Sequence, residues 1–157
     1  MKNKETVLTV AQEQRDLLKE LIKRLPGVVA PEKTVCSKDG RFTRNADGTV
    51  TDTQLKVVWY PTLENKFTWE DAKKECAKTG CRLPTRKELE SLVDITKYNP
   101  AIDKEIFPDT KTNDYYWTSD VYAGGSGYAW VVGFGNGGVS GCSKDGGNYV
   151  RPVRSSQ

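Results

Sequence analysis

The chain has 157 residues, 36% of them hydrophobic and 29% charged, which suits one folded domain with a short appendage. A mean hydropathy of -0.64 and the lack of any apolar run near ~18 residues exclude an apolar helical membrane span. The 24 basic and 21 acidic residues leave a net charge of +3 without the basic stripe that nucleic acid selects, and the absence of histidine removes Ser-His-Asp, Cys-His and His-Glu-x-x-His chemistry together.

Residues 4–25 are predicted to form a helix. Val7, Ala11, Leu18, Leu21 and Leu25 make a heptad-like stripe with Gln14 at the skipped position, and Pro26-Gly27 ends it. The stripe either packs on the chain's own domain or joins a second copy into a homo-oligomer; about three heptads do not choose between the two. Lys19, Lys23 and Arg24 share this helix with Glu13, Asp16 and Glu20 and read as a solvated face. The chain thus divides into a helical segment, 1–30, and a domain, 31–157. Met1 to Val10 holds no apolar leader, so no signal peptide is expected.

A hairpin follows: Arg41-Phe42-Thr43, a turn at Asn45-Ala46-Asp47-Gly48, then Thr49-Val50-Thr51-Asp52. The turn is not a calcium loop, because Thr43 and Gln54 stand where an EF-hand needs carboxylates. Lys56–Tyr60 reads as the next strand. Thr68 caps a helix running to about Lys78, which Gly80 ends. Thr85 and Glu88 form a capping box for a second helix to about Asp94, with Leu89, Leu92 and Val93 buried. Ile102, Ile106 and Phe107 tuck a loop beneath the domain. Tyr116–Ser119 begins a run of short strands, and Asn136-Gly137 is a hairpin turn. Val139 resumes the strand, and Tyr149–Val153 closes the chain. Two capped helices followed by short strands argue for an α+β domain.

Between Ala129 and Gly135 the residues alternate. Trp130, Val132 and Phe134 lie on one side and Val131, Gly133 and Gly135 on the other. Of the 14 glycines, all but Gly27, Gly40, Gly48 and Gly80 fall between Asp120 and Tyr149. Glycine in a strand adds no packing and costs backbone entropy, so stability alone does not account for this crowding. The expectation is a sheet with a core side of large apolar residues and an outward side of small ones that meets a ligand. Gly133, Gly135 and Gly138 fit Gly-x-Gly-x-x-Gly, but they straddle a hairpin rather than open a helix, so a dinucleotide site is not expected. Across the same segment Glu, Gln and Met are missing, Lys144 is the only Lys and Trp130 the only Trp. The residues present are largely those reached by altering the two adenines of an Asn codon while its third base stays fixed. An ordinary Gly/Ser-rich loop region is the competing explanation.

Cys36, Cys76, Cys81 and Cys142 form no Cys-x-x-Cys pair and no zinc pattern. Cys76 and Cys81 can be bridged across a helix end and Cys36 can reach either, so the three complete pairings stay open. No metal or other cofactor is expected.

Five separated motifs resemble the DUF1566 family (Lcl C-terminal-like domains). They are Arg41–Asp52 with Val58-Trp59, Arg82-Leu83-Pro84-Thr85-Arg86-Lys87-Glu88-Leu89, Asn99–Asp103, Tyr116–Ser119 and Tyr149–Arg154. Cys81 stands where that family usually has Trp, and Leu55-Lys56-Val57 replaces its usual Thr-Gly-Leu. The resemblance implies a C-type-lectin-like fold, in which two short helices and a small twisted antiparallel sheet accompany the N-terminal helix. Some members are variable proteins of diversity-generating retroelements, whose reverse transcriptase errs at adenines; similar proteins form receptor-binding tips of phages and archaeal viruses.

On that resemblance the ligand-binding, diversified positions are Tyr122, Ala123, Gly124, Gly125, Ser126, Gly127, Tyr128, Val131, Gly133, Gly135, Gly138, Ser140, Gly141, Cys142, Ser143, Asp145, Gly146, Gly147 and Asn148. The framework is Trp117, Trp130, Val132, Phe134, Val139, Lys144 and Tyr149–Arg154. Tyr122 and Tyr128 are the expected anchors, because Tyr offers large contact area at low entropy cost. The implied partner is a protein or glycan on a cell surface, met from a virion surface if the chain is viral. Catalysis is not expected. Two alternatives compete: a lectin or adhesin of fixed specificity, and an oxidase of the formylglycine-generating type, for which Cys142 alone lies in the right region.

Overall fold

The computed structural model describes residues 34–156, so the predicted 4–25 helix and the 30/31 boundary lie outside the described residues. The described residues form an α+β arrangement of two antiparallel sheets and two short helices. Strands β1 (Val35–Cys36), β2 (Phe42–Arg44), β3 (Val50–Asp52), β4 (Val57–Trp59) and β8 (Val153–Ser155) lie side by side in that order. A second sheet holds β5 (Tyr115–Val121), β6 (Tyr128–Gly133) and β7 (Val139–Ser143). Helices α1 (Trp69–Lys78) and α2 (Arg86–Glu90) connect the two. One small sheet was expected from the motifs; there are two.

Local chemistry explains the first sheet. Gly48, at φ +81°, closes the β2–β3 turn, where Asp47 accepts from the Thr49 N–H and hydroxyl. Asp52 is fully buried and accepts from Arg41 through Nε at 3.1 Å and Nη2 at 2.8 Å. It also takes the Leu55 N–H and the Trp59 indole N–H. Burial alone raises the pKa of this carboxyl, but Arg41 and the other donors outweigh it and hold the group below the usual carboxylate range.

The helices start where their caps predict. The Thr68 side chain accepts from the Asp71 N–H, and Thr85 with Glu88 completes a capping box. However, α2 stops at Glu90 rather than about Asp94. Leu92 and Val93 N–H reach back only three residues, to the Leu89 and Glu90 carbonyls, and Asp94 N–H leaves the ladder for the Ala101 carbonyl. Arg41 holds the end, donating to the Ser91 carbonyl at 3.0 Å and to its hydroxyl at 2.7 Å.

The closing run also differs from expectation. Tyr149 makes only an isolated bridge to Tyr116, and the strand proper is β8, paired with β4. Pro152 carries no N–H for a ladder. Its neighbour Arg151 is 1% exposed and is drawn inward. It donates to the Tyr60 carbonyl, the Thr62 and Thr110 hydroxyls and Asp109, with its guanidinium 5.1 Å above the Phe107 ring.

The second sheet is covered on both sides. Tyr116, Val132 and Phe134 join Leu89, Ile102, Ile106 and Phe107 in one apolar cluster. Trp117, Ala129 and Val131 join Trp69, Ala72, Cys76 and Leu83 in another. The predicted alternation along β6 is present, yet Val131, on the side expected to face outward, is buried in the cluster that holds Trp69, Ala72 and Cys76 of α1. The four cysteines are free.

Candidate ligand-binding surface

The connection between β5 and β6 is a short loop held by its own backbone: Tyr122 N–H donates to the Tyr128 carbonyl, and Gly125 and Tyr128 N–H groups donate back within it. Ala123, Gly124, Ser126, Gly127 and Tyr128 are exposed, and Tyr122 and Gly125 are half-buried. The Tyr122 ring meets the Trp130 ring edge-on at 4.6 Å and the Tyr128 ring at 6.4 Å. Gly141 is the residue paired with Trp130 across β6 and β7. A Cβ there would sit 2.8 Å from Tyr122 Cγ, and one at Gly124 would overlap Tyr122 Cε1. Both glycines therefore leave room for one aromatic ring.

Helix α2 completes the cluster. The Arg86 guanidinium lies 4.0 Å from the Trp130 ring centroid, and its side chain is also held by Glu90. The Arg86 backbone N–H donates to Asp120 at 2.7 Å, tying the start of α2 to β5. Sequence reasoning missed Arg86 and the bond that ties it to Asp120. The capping box did mark Arg86 as the first helical residue, but not what it would lie against. Trp130, read as framework, is half-buried and forms the floor of the cluster.

The other predicted positions divide into separate groups. Ser140 is exposed on the edge strand β7, and Ser143 is half-buried beside the loop. The Lys144 N–H donates to the Gly127 carbonyl, which brings Asp145, Gly146 and Gly147 alongside. Asp145 and Gly147 are exposed. At the opposite end of β6, Gly133 and Gly135 line a cleft of about 290 Å³ with Tyr98, Asn99, Asn113, Tyr115 and Asn136. Gly138 stands at that end too, its N–H held by the Asn136 side chain. The nineteen positions do not make one patch.

Four of them need correction. Val131 is 2% exposed because α1 packs on it. Gly133 is buried, and a Cβ there would meet the Tyr115 ring at 3.1 Å. Gly135 approaches the Thr112 carbonyl so closely that a Cβ would sit 2.6 Å from its oxygen, and backbone cannot swing aside as a side chain can. Asn148 is 3% exposed, exchanges both backbone hydrogen bonds with Phe67, and donates its side-chain amide to Cys142 Sγ at 3.3 Å. Cys142 is in turn half-buried against the α1 cluster.

The chemistry available at the loop end is noncovalent: aromatic faces, hydroxyls, one guanidinium and open backbone. Among the described residues, no group of three or more Cys, Asp or Glu side chains is placed to hold a metal ion, and no helix is long and apolar enough to cross a membrane. A further concavity lies elsewhere, about 960 Å³ lined by Phe42, Leu92, Val93, Ile95, Tyr98 and Ile102 among others, and carries the exposed Ile95 and Tyr98. Sequence patterning had no signal for it.

The profile of the family described as the Lcl C-terminal domain matches residues 48–154, more than half of the chain. No curated protein matches the sequence.

Proposed function

The chain belongs to the Lcl C-terminal domain family, and on that premise we propose that it is a ligand-binding protein whose recognition surface is the Tyr122–Tyr128 loop with Ser140, Gly141, Ser143, Asp145 and Gly147. The reading takes the α+β domain as C-type-lectin-like and the chain as the variable protein of a diversity-generating retroelement. Its ligand is then a protein or glycan on a cell surface.

One observation carries this reading: the Tyr122 ring lies over two glycines, beside Tyr128 and Trp130, at the end of a sheet packed by helices on both faces. A stiff scaffold holds such a loop in place while its side chains, the aromatic anchors included, change. Leaving out Val131, Gly133, Gly135, Gly138, Cys142, Gly146 and Asn148 makes the predicted surface smaller and confines it to the loop end. A surface of that size has modest affinity for one ligand, so repeated copies supply avidity.

The test is the adjoining DNA. The proposal requires a near-repeat of the codons for residues 120–149, differing only at adenines, beside a reverse transcriptase gene. A second reading, a binding domain of fixed specificity, is favoured by the packing of Val131, Gly135 and Asn148 within a segment read as diversified. If neither repeat nor reverse transcriptase gene is present, the fixed-specificity reading replaces the first.

A further inference from the structure

The end of α1 carries two reverse hydrogen bonds. Gly80 N–H donates to the Ala77 carbonyl at 3.1 Å, and Cys81 N–H donates to the Cys76 carbonyl at 3.0 Å. Gly80 has φ +69°. These are the 5→2 and 6→1 bonds of a Schellman motif, which folds the sixth residue back against the first and commonly brings their side chains into contact. In most proteins that pair is two hydrophobic residues. Here it is two thiols, and both lie in the apolar cluster beneath α1, with Cys76 fully buried and Cys81 9% exposed.

We propose that Cys76 and Cys81 are a disulfide-forming pair that closes the C-terminal end of α1 covalently under oxidising conditions. The Schellman bonds place neither of the other two cysteines beside this pair, although Cys142 packs against the same cluster. Cys36 is exposed on β1, and Cys142 sits on β7 with its sulfur held by Asn148. The bridge would tie α1 to the segment that follows it. There Arg82 exchanges backbone hydrogen bonds with Val153, and the Pro84 carbonyl accepts from Ser119. That segment leads directly into α2 and so to Arg86.

The order of steps follows from accessibility. Burial, with the neighbouring Cys81 and Glu75 adding to it, pushes the Cys76 thiol up to about 12, so Cys76 is the poorer first nucleophile. Cys81, nearer the surface, attacks glutathione disulfide as its thiolate and displaces one glutathione thiolate. Cys76 then loses its proton and attacks the Cys81 sulfur, displacing the second glutathione. Two protein thiols give up two electrons and two protons, and one glutathione disulfide becomes two glutathiones.

The folded full-length chain is incubated with oxidised glutathione, its remaining thiols are alkylated, and it is digested with trypsin. Cleavage after Lys74, Lys78 and Arg82 separates the two cysteines into the tetrapeptides 75–78 and 79–82. The expected product is these two peptides joined by a disulfide, two hydrogens lighter than their sum, with Cys36 and Cys142 alkylated. The Cys81→Ser variant should return peptide 75–78 fully alkylated. Recovery of both wild-type tetrapeptides unlinked would overturn the proposal. So would glutathione retained on Cys81 without closure, or a bridge from either residue to Cys36 or Cys142.

Discussion

Tyr122 lies directly across Gly141, close enough that a methyl group on the glycine would sit 2.8 Å from Tyr122 Cγ. The contact is to a side chain, so a larger residue at position 141 displaces the ring rather than the backbone. Trp59 and Trp117 are fully buried, Trp69 is 7% exposed, and Trp130 alone is half-buried beneath Tyr122. Gly141→Val should therefore uncover Trp130 and increase acrylamide quenching of tryptophan fluorescence. Unchanged quenching would contradict the placement of the ring.

The glycines of the segment should differ sharply in tolerance. A Cβ at Gly127 meets nothing within 4 Å, whereas one at Gly135 meets the Thr112 carbonyl oxygen at 2.6 Å. In urea denaturation, Gly127→Ala should leave stability within about 0.5 kcal/mol. Gly135→Ala should cost about 1–3 kcal/mol, the usual cost of forcing an atom into filled space. Equal effects would mean that the loop beyond β6 is not packed as described.

Acid should destabilise the fold through one buried carboxylate, Asp52, and two half-buried ones, Glu88 and Asp109. Burial raises the pKa of Asp52, Asp109 and Glu88, but Arg41, Arg151 and Arg82 respectively lead the interactions that bring each below its ordinary value. A group whose folded pKa is depressed adds stability above its unfolded value, about 4, and loses it as pH falls through the folded value. The melting temperature should accordingly hold steady down to about pH 4 and then drop. Asp52→Asn should cost about 3 kcal/mol at neutral pH, since it leaves the Arg41 guanidinium without its carboxylate, and should flatten the acid drop. An unaltered acid profile in that variant would contradict the assignment.

Arg151 reaches four acceptors from two nitrogens, the Tyr60 carbonyl from Nη1 and Thr62, Asp109 and Thr110 from Nη2, a spread that one ammonium does not span. Arg151→Lys should lower stability by about 2 kcal/mol or more in urea titration, and Arg151→Ala by about 3–5 kcal/mol. A near-neutral Lys variant would show that charge alone, not the spread of donors, joins Tyr60 and Thr62 to Asp109 and Thr110.

The sequence made local features legible, and the long-range ones account for what it did not show. Thr68, the Thr85–Glu88 pair and Gly48 act within a few residues of themselves, and the structure has each in its predicted role. Past Glu90 the Asp94 N–H leaves the ladder for Ala101, and Arg41 holds Ser91 from fifty residues away; no pattern near Glu90 announces either. Alternation along β6 showed two sides but not what covers them. Val131 is buried because α1 packs there, and that contact is a property of the whole fold. Composition marked the 120–149 segment as unusual. It did not separate Gly127, in open space, from Gly135, against a carbonyl. That distinction needs coordinates, because both are simply glycine in a glycine-rich run.

The most direct test of the binding-surface account is deep sequencing of the codons for residues 120–149 across a natural population of carriers of this gene. The account predicts substitutions concentrated at adenine-derived positions in the codons of Tyr122–Tyr128, Ser140, Gly141, Ser143, Asp145 and Gly147, with Val131, Gly135 and Asn148 unchanged. An invariant segment, or changes spread evenly over loop and core codons alike, would contradict it.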